Sequence, residues 1–302
     1  MNASTEIRER VASRLGAGIS VCREKSICVF PQIPSPVVPY ALWRIFDALA
    51  IDPQAYSPWH RYDICVCFED HTSELIDVPE YFAKSSMLWM SDDVTGEWRH
   101  ERNQVDRFIN ARCKDISKRR VGIVFERVFG YPLDVDPRSF TGRIVRKSNA
   151  NASHDGRVIT GPVSAADYEA GGDRYAYNVH IDNIRGDTIT DFRLMWFGHL
   201  SPMLHRKERL ASIRFARGAN AAFLEPVSAH FTPDEVTAIG DFCREFELDY
   251  GELDCLRDNE SGRIYVVDVN NTPASRLKGL SREDSIEAVV FLATGFAEGF
   301  LL

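Results

Sequence analysis

Two aspartates in the stretch DYGELDCLRDNESGRIYVVDVNNTP are spaced so that they could act together. The apolar runs GELDCLRD and GRIYVVDVN flank a polar five-residue stretch, 259–263, that contains serine and glycine, and this pattern predicts an antiparallel hairpin. With that loop Asp258 opposes Ile264, and counting outward sets Asp254 opposite Asp268. Opposed residues share a face with Cβ atoms about 4.5–5.5 Å apart. Asn270, two residues beyond Asp268, projects from the same face. Two like charges in an otherwise apolar hairpin need positive charge beside them. A divalent cation supplies it, since Mg²⁺ takes hard oxygen ligands and commonly shares them between one or two carboxylates and substrate phosphates. Asn270 then adds a neutral oxygen without a third negative charge. Ion pairs with buried arginines, or the capping of loops, would answer the same need without metal, and geometry alone leaves both readings open.

The elements around this hairpin can be read from patterning. TPDEVTAIGDFCREF predicts a helix with Thr232 as N-cap, Pro233 at the first helical position and Glu235 completing a capping box. Upstream, GRIVRKS, RYAYNVHID and DTITDFRLMWFG read as strands, and a closing helix starts near Ser281. The run 103–131 reads as helical, ended by Leu133 and a DVDP turn. Before it, SICVFPQIP and RYDICVCFED are apolar strands separated by the helical pattern VVPYALWRIFDALAI, with SSMLWMS as a further strand. Strand, helix, strand predicts a small parallel α/β lobe. Its PQIPSP segment is a poor anion loop, so this lobe is not expected to cradle phosphate. The opening segment, to about Ala17, reads as a polar helix with few core contacts.

In order and motif the residues resemble the ATP-grasp superfamily, in particular its RimK-like and glutathione synthetase-like carboxylate–amine ligases. There an acidic residue on one strand, and an acid-x-Asn followed by proline on the next, hold metal against ATP phosphates. The resemblance covers about Asp115 to the C-terminus. It implies that Asp254, Asp268 and Asn270 bind one or two Mg²⁺ ions, for which Mn²⁺ can substitute. Lys118 in DISKRR and Lys147 in GRIVRKS fall where the family carries its two phosphate-contacting lysines. YNVHID resembles the strand linking the two gripping subdomains, which gives Asn178 and His180 adenine-side positions and Asp182 the ribose. DFRLMWFG resembles the Asp-x-Arg strand, which sets Arg193 near the phosphates. Relatives place an oxyanion-stabilising arginine in the region LHRKERLASIRFARGAN; Arg214 is the choice here, with Arg217 close behind. One departure is the loop SNANASHDG after the second lysine, which carries Gly156 where the family's lid is glycine-rich; Ser153 or His154 could donate hydrogen bonds instead.

The expected architecture is therefore α/β and α+β: a helical extension over 1–24, a pre-ATP-grasp α/β lobe over 25–114, and an ATP-grasp domain over 115–302. Two α+β subdomains of the latter, about 115–185 and 186–302, would grip ATP. The chemistry implied is ADP-forming ligation of a small-molecule carboxylic acid to an amine or thiol through an acyl phosphate. A small-molecule kinase, or an ATP-binding protein with little turnover, are the alternatives on the same scaffold.

Composition fits that reading. A net charge of −8 with acidic and basic residues mixed along the chain argues against a nucleic-acid surface, which needs clustered Lys and Arg. The seven cysteines form no CxxC pair, and the CxC of Cys65 and Cys67 sits in an apolar strand, so free buried thiols in a reducing cytoplasm are expected. The N-terminus has no apolar core of a signal peptide, and the final apolar stretch is too short and carries Glu298, so no membrane association is expected.

Overall fold

The structure, a computed structural model, describes residues 2–30, 40–57, 60–69, 105–113, 115–150, 153, 155–171, 174–214, 221–274 and 279–302. The expected strand SSMLWMS, the PQIPSP segment, His154, Arg217 and the Ser275–Arg276 end of NTPASR lie outside the described residues.

Strands β1 (Ile27–Phe30), β2 (Gln54–Ala55), β3 (Tyr62–Cys67) and β4 (Val105–Ile109) form a parallel sheet in the order β2-β1-β3-β4. β1 and β3 are almost wholly buried, which is what a near-continuous apolar run becomes when both faces of a parallel strand are covered. Helix α3 (Ala41–Leu49), with α1 (Ala3–Leu15) and α2 (Gly18–Glu24) before it, packs on this sheet. α1 is not the bystander its polarity suggests. Ile7, Val11 and Leu15, four residues apart, make one narrow apolar row that packs into the first core, and Val11 is fully buried.

The helical reading of 103–131 fails over its first half. VDRFI is β4, paired with β3; Asn110 then takes a left-handed conformation (φ 63°), and the helix begins only after Ser117, whose Oγ accepts from Arg120 N at 3.3 Å. That helix is α4 (Lys118–Phe129).

Two antiparallel sheets follow. The smaller has β5 (Gly142–Ser148) between β6 (Arg157–Gly161) and β7 (Tyr175–Val179), with α5 (Ala165–Gly171) in the β6–β7 connection. The larger runs β11-β10-β9-β12-β13, with β8 (Ile184–Arg185) also on β9. Its members are β9 (Thr188–Phe197), β10 (Leu200–Leu210), β11 (Ala221–Pro226), β12 (Tyr250–Arg257) and β13 (Ile264–Asn270). Helix α6 (Pro233–Glu245) has the expected capping box, with Thr232 Oγ1 accepting from Glu235 N and Thr232 N donating back to the Glu235 carboxylate. One face of the larger sheet, with Phe192, Leu194, Trp196, Leu253, Cys255 and Val269, shares a core with α4 and α6. At one end of the other face, Met195, Phe197 and Tyr250 join the first core, where the closing helix α7 (Arg282–Phe296) packs against α1 and α3. Over β13, β12, β9 and β10 the rest of that face carries polar and charged residues, and the candidate site lies there.

Asn110 bolts the first lobe to this sheet. Its Oδ1 accepts from Asp249 N (3.0 Å) and Tyr250 N (2.9 Å), its Nδ2 donates to Tyr250 O (2.7 Å), and its own amide donates to Asp249 Oδ2 (2.8 Å). Replacing it by alanine strands buried backbone groups that each cost roughly 1–3 kcal/mol when unsatisfied. We therefore expect Asn110→Ala to lower unfolding free energy in urea by about 3 kcal/mol or more; a loss below about 1 kcal/mol would show that the bolt is dispensable.

Candidate active site

The hairpin brings Asp254 opposite Asp268, although by a different route from the simple count. Arg257, not Asp258, pairs Ile264, so the turn is one residue longer. Between the pairs Cys255–Val266 and Asp254–Asp268 the register shifts, and Val267 is the extra residue of a β-bulge that restores the pairing. A bulge breaks the ladder locally, and here the Val267 carbonyl is taken up by Lys147 Nζ at 2.8 Å.

Register then extends the site across the sheet. Asp268, Asp254, Arg193 and His205 lie side by side in one row over β13, β12, β9 and β10. The neighbouring row carries Asn270 beside Glu252. The positive charge that the opposed carboxylates require is supplied by the protein itself. Arg193 Nη2 lies 3.0 Å from Asp254 Oδ2, and its Nη1 donates to Glu252 Oε1. Lys118 Nζ, from the first residue of α4 and buried, is 2.5 Å from Asp268 Oδ1. Burial pushes Asp254 up to about 6, helped by Glu252 and Asp268 and opposed by Arg193. Burial would lower the Arg193 guanidinium, yet the Asp254 and Glu252 carboxylates hold it above its ordinary range. Asn270 Oδ1 accepts from Thr272 N at 3.0 Å, closing its own turn.

Lys147 brings the smaller sheet to the same strand. Burial lowers its ammonium to about 8, against the pull of Asp268, Asp134 and Asp254. Beneath it Asn178, buried on β7, donates from Nδ2 to Asp134 Oδ1. Asp134 is pushed up to about 6 by burial, with Lys147 and the Asn178 hydrogen bond pulling the other way. His180 and Asp182 follow on the linker. Burial, with Arg214 and Arg143 close by, lowers His180 to about 4, and its Nε2 is buried without a partner among the described residues. Asp182 Oδ1 accepts from Ile184 N at 3.2 Å, and its amide donates to Asp258 Oδ1 at 3.0 Å. Arg214 lies against this linker, donating from Nη2 to Ile181 O at 2.8 Å; Arg193, by contrast, is bonded within the carboxylate row. The loop after Lys147 is anchored at its root: Asn149 accepts from the Lys118 and Arg119 amides at the start of α4, and Ser148 bonds the Asp155 carboxylate.

Four residues in and around this site were not picked out from the sequence. Glu252 could have been, because it stands two residues before Asp254 on a strand and must share its face. His205 and Lys207 were hidden inside LHRKERLASIRFARGAN, read there as an arginine-rich run; the segment 200–210 is in fact β10, with His205 and Lys207 facing the site and Arg206 on the other face. Asp134 sat in a segment read as a turn. Among the described residues no three His, Cys, Asp or Glu side chains group closely enough to hold a metal ion.

Asp134 gives a pH test. An acid whose folded pKa is raised favours the folded state when protonated, so its contribution is full below its unfolded pKa near 4 and is lost as pH rises through about 6. Asp134→Asn keeps an acceptor for Asn178 and removes the buried charge. Its melting temperature should exceed that of the wild type at pH 7.5, with the gap closing as pH falls to 4; a gap independent of pH would contradict the burial argument.

No family model matches the sequence, and no curated protein sequence is similar to it. Solved structures do match. A D-alanine–D-alanine ligase from Bacillus anthracis, 12% identical, aligns over 92% of this chain and 97% of its own with a TM-score of 0.50, and the same ligase complexed with ATP gives the same figures. A D-cycloserine synthetase, 11% identical, aligns over 90% of this chain and 98% of its own, also at 0.50. At these identities the likeness is one of fold. With a parallel lobe leading into two antiparallel sheets that converge on one hairpin, the chain has the ATP-grasp fold.

Proposed function

We propose that the protein is an ATP-dependent ligase, allied to the RimK-like and glutathione synthetase-like enzymes, that joins a carboxylic acid to an amine or thiol through an acyl phosphate. The observation that carries this reading is the convergence of Lys118, Lys147 and Arg193, from α4, β5 and β9, on the paired aspartates of one hairpin. Phosphoryl transfer needs positioning and charge neutralisation more than covalent help, and these are the groups that provide them.

In this reading the subdomains of about 115–185 and 186–302 grip the nucleotide, after the lobe 25–114 and the extension 1–24. Lys118 and Lys147 hold the β- and γ-phosphates. The linker takes the base beside Asn178 and His180 and the ribose at Asp182, with Arg214 steadying the Ile181 carbonyl. Arg193 orients the γ-phosphate. The donor chemistry fits Mg²⁺: two opposed carboxylates, one already near 6 from burial and like charge, gain from a hard cation between them, with the Asn270 amide oxygen on the same face. Bound there, the metal would neutralise charge on the transferring phosphoryl group. With a cation bound, Asp254 and Asp268 would give up part of their pairing with Arg193 and Lys118, which would leave both side chains able to meet phosphate. A carboxylate oxygen of the acid attacks the γ-phosphorus, the bond to the β–γ bridging oxygen breaks, and ADP leaves with the electron pair. The amine nitrogen then attacks the acyl carbon, phosphate leaves with its oxygen, and the nitrogen loses a proton. The reading of an ATP-binding protein with little turnover draws on the loop after Lys147, which is poor in glycine and tied at its root by Asn149 and Asp155.

Binding only to the folded state adds RT ln(1 + [L]/Kd), about 2.7 kcal/mol at a hundredfold excess over Kd, so Mg²⁺–ATP should raise the melting temperature. In a screen of amino acids, hydroxy acids and short peptides with hydroxylamine, the right acid should give ADP, phosphate and a hydroxamate together, and Lys147→Ala should suppress all three. A stable phosphate ester without hydroxamate would mark a kinase, and steady binding without turnover the binding protein. AMP and pyrophosphate as products would contradict the proposal outright.

A further inference from the structure

Beyond Arg193 the polar row continues onto β10, and one cation there lacks a role. Lys207 is 7% exposed, and its ammonium has no hydrogen bond or ion pair among the described residues. Its position invites pairing, because three carboxylates face it. Each is already committed. Asp191, its cross-strand neighbour on β9, is bonded to Arg209, and Glu252 and Asp254 on β12 are both bonded to Arg193. Lys207 is thus the cation of the cluster whose ammonium makes no direct ion pair among the described residues, held in a place where burial costs the charged form and lowers it to about 8, against the pull of Glu252, Asp254 and Asp191. Its neighbour on the same strand face, His205, is kept neutral by burial, with a pKa near 4, so it offers a hydrogen bond without charge.

Geometry says which anion this suits. Adjacent strands lie about 4.8 Å apart, so His205 sits one strand beyond Arg193 on the side away from Asp254 and Asp268. If the γ-phosphate lies over the Asp254–Arg193 pair, the group that attacks it comes from over β10. One strand further, β11 presents Leu224 opposite His205 and Ala222 opposite Lys207. The turn at Gly279 closes on that spot, since a Cβ there would meet the Ala222 amide nitrogen at 3.2 Å. Among the described residues the wall beyond the lysine is therefore small and apolar, with no charged side chain on it.

We propose that Lys207, with His205 beside it, anchors the reacting carboxylate of the acid substrate, and that this acid is a monocarboxylate whose uncharged tail lies against Ala222 and Leu224. The assignment rests on the ligase reading above and adds to it a residue and a substrate class. In the first step Lys207 neutralises the attacking carboxylate without exchanging a proton; the new O–P bond forms as the bond to ADP breaks.

Acid-dependent ADP release decides it, measured with propionate, butyrate and lactate against succinate and glutarate. Wild type should favour the monocarboxylates. Lys207→Met should keep the Mg²⁺–ATP thermal shift while raising KM for the best acid about ten- to a hundredfold, the factor for a lost charge-assisted hydrogen bond, and Lys207→Arg should restore most of it. An unchanged KM in Lys207→Met, with the thermal shift intact, would overturn the anchor and leave the ligase reading standing. Preference for succinate or glutarate, a result that needs no variant, would overturn the substrate class. Absence of ADP release with every acid, in a protein that still binds Mg²⁺–ATP, would remove the ligase reading and this assignment with it.

Discussion

Two carboxylates held side by side on neighbouring strands, on a face partly removed from water, repel each other and lose hydration. Asp254 and Asp268 are in that position, and the arrangement of the surrounding elements follows from how their charge is met. Arg193 reaches Asp254 from the next strand; Lys118 reaches Asp268 from the first turn of α4; Lys147 crosses from the smaller sheet to the carbonyl that the bulge at Val267 sets free. Three elements from both sheets and the helix between them thus end on one hairpin. Removing one partner of such a buried pair leaves the other charge uncompensated, which typically costs about 3–5 kcal/mol. The same contacts that hold the two subdomains together are those a nucleotide and its metal would rearrange. On the proposed function, stability and binding draw on one set of charges.

The first lobe has a different part. Its contribution is to fix the far end of the site strands. Asn110 ties β4 to the start of β12, Asn271 Nδ2 donates to Glu69 O at 2.8 Å, and Pro273 O accepts from Ala41 N at 2.9 Å. The segment after β13 is thereby held against the end of β3 and the start of α3. The row Glu252–Asp254 is positioned from both ends, by apolar packing of Tyr250 and by the hairpin turn.

Much of this was legible in the sequence, for physical reasons that also explain the failures. Strand alternation is local, so the hairpin, the shared face of Asp254, Asp268 and Asn270, and the flanking strands β5, β7 and β9 could be read directly. The bulge could not, because Val266 and Val267 are equally apolar and only the tertiary hydrogen bond from Lys147 reveals which carbonyl is displaced. The strand β4 was taken for helix because VDRFINAR has no strict alternation, and its identity comes from parallel pairing with β3, a contact between segments distant in sequence. β10 was masked by its own charges: HRKER looks like a wet basic run, yet it alternates residues between the site and the opposite face, where Arg206 bonds Glu225. Polar residues on a strand signal a functional face only once the neighbouring strands are known.

The central claim is that the paired aspartates, with Lys118, Lys147 and Arg193, form one site for a metal-bound triphosphate. A crystal structure of the protein with Mg²⁺ and a non-hydrolysable ATP analogue tests it most directly. The account predicts metal density between the Asp254 and Asp268 carboxylates and the γ-phosphate within hydrogen-bond reach of Arg193 and at least one of the two lysines. It also predicts open space on the β10 side of that phosphate. A nucleotide bound elsewhere, or bound on this face with Asp268 still paired to Lys118 and no metal beside it, would contradict it.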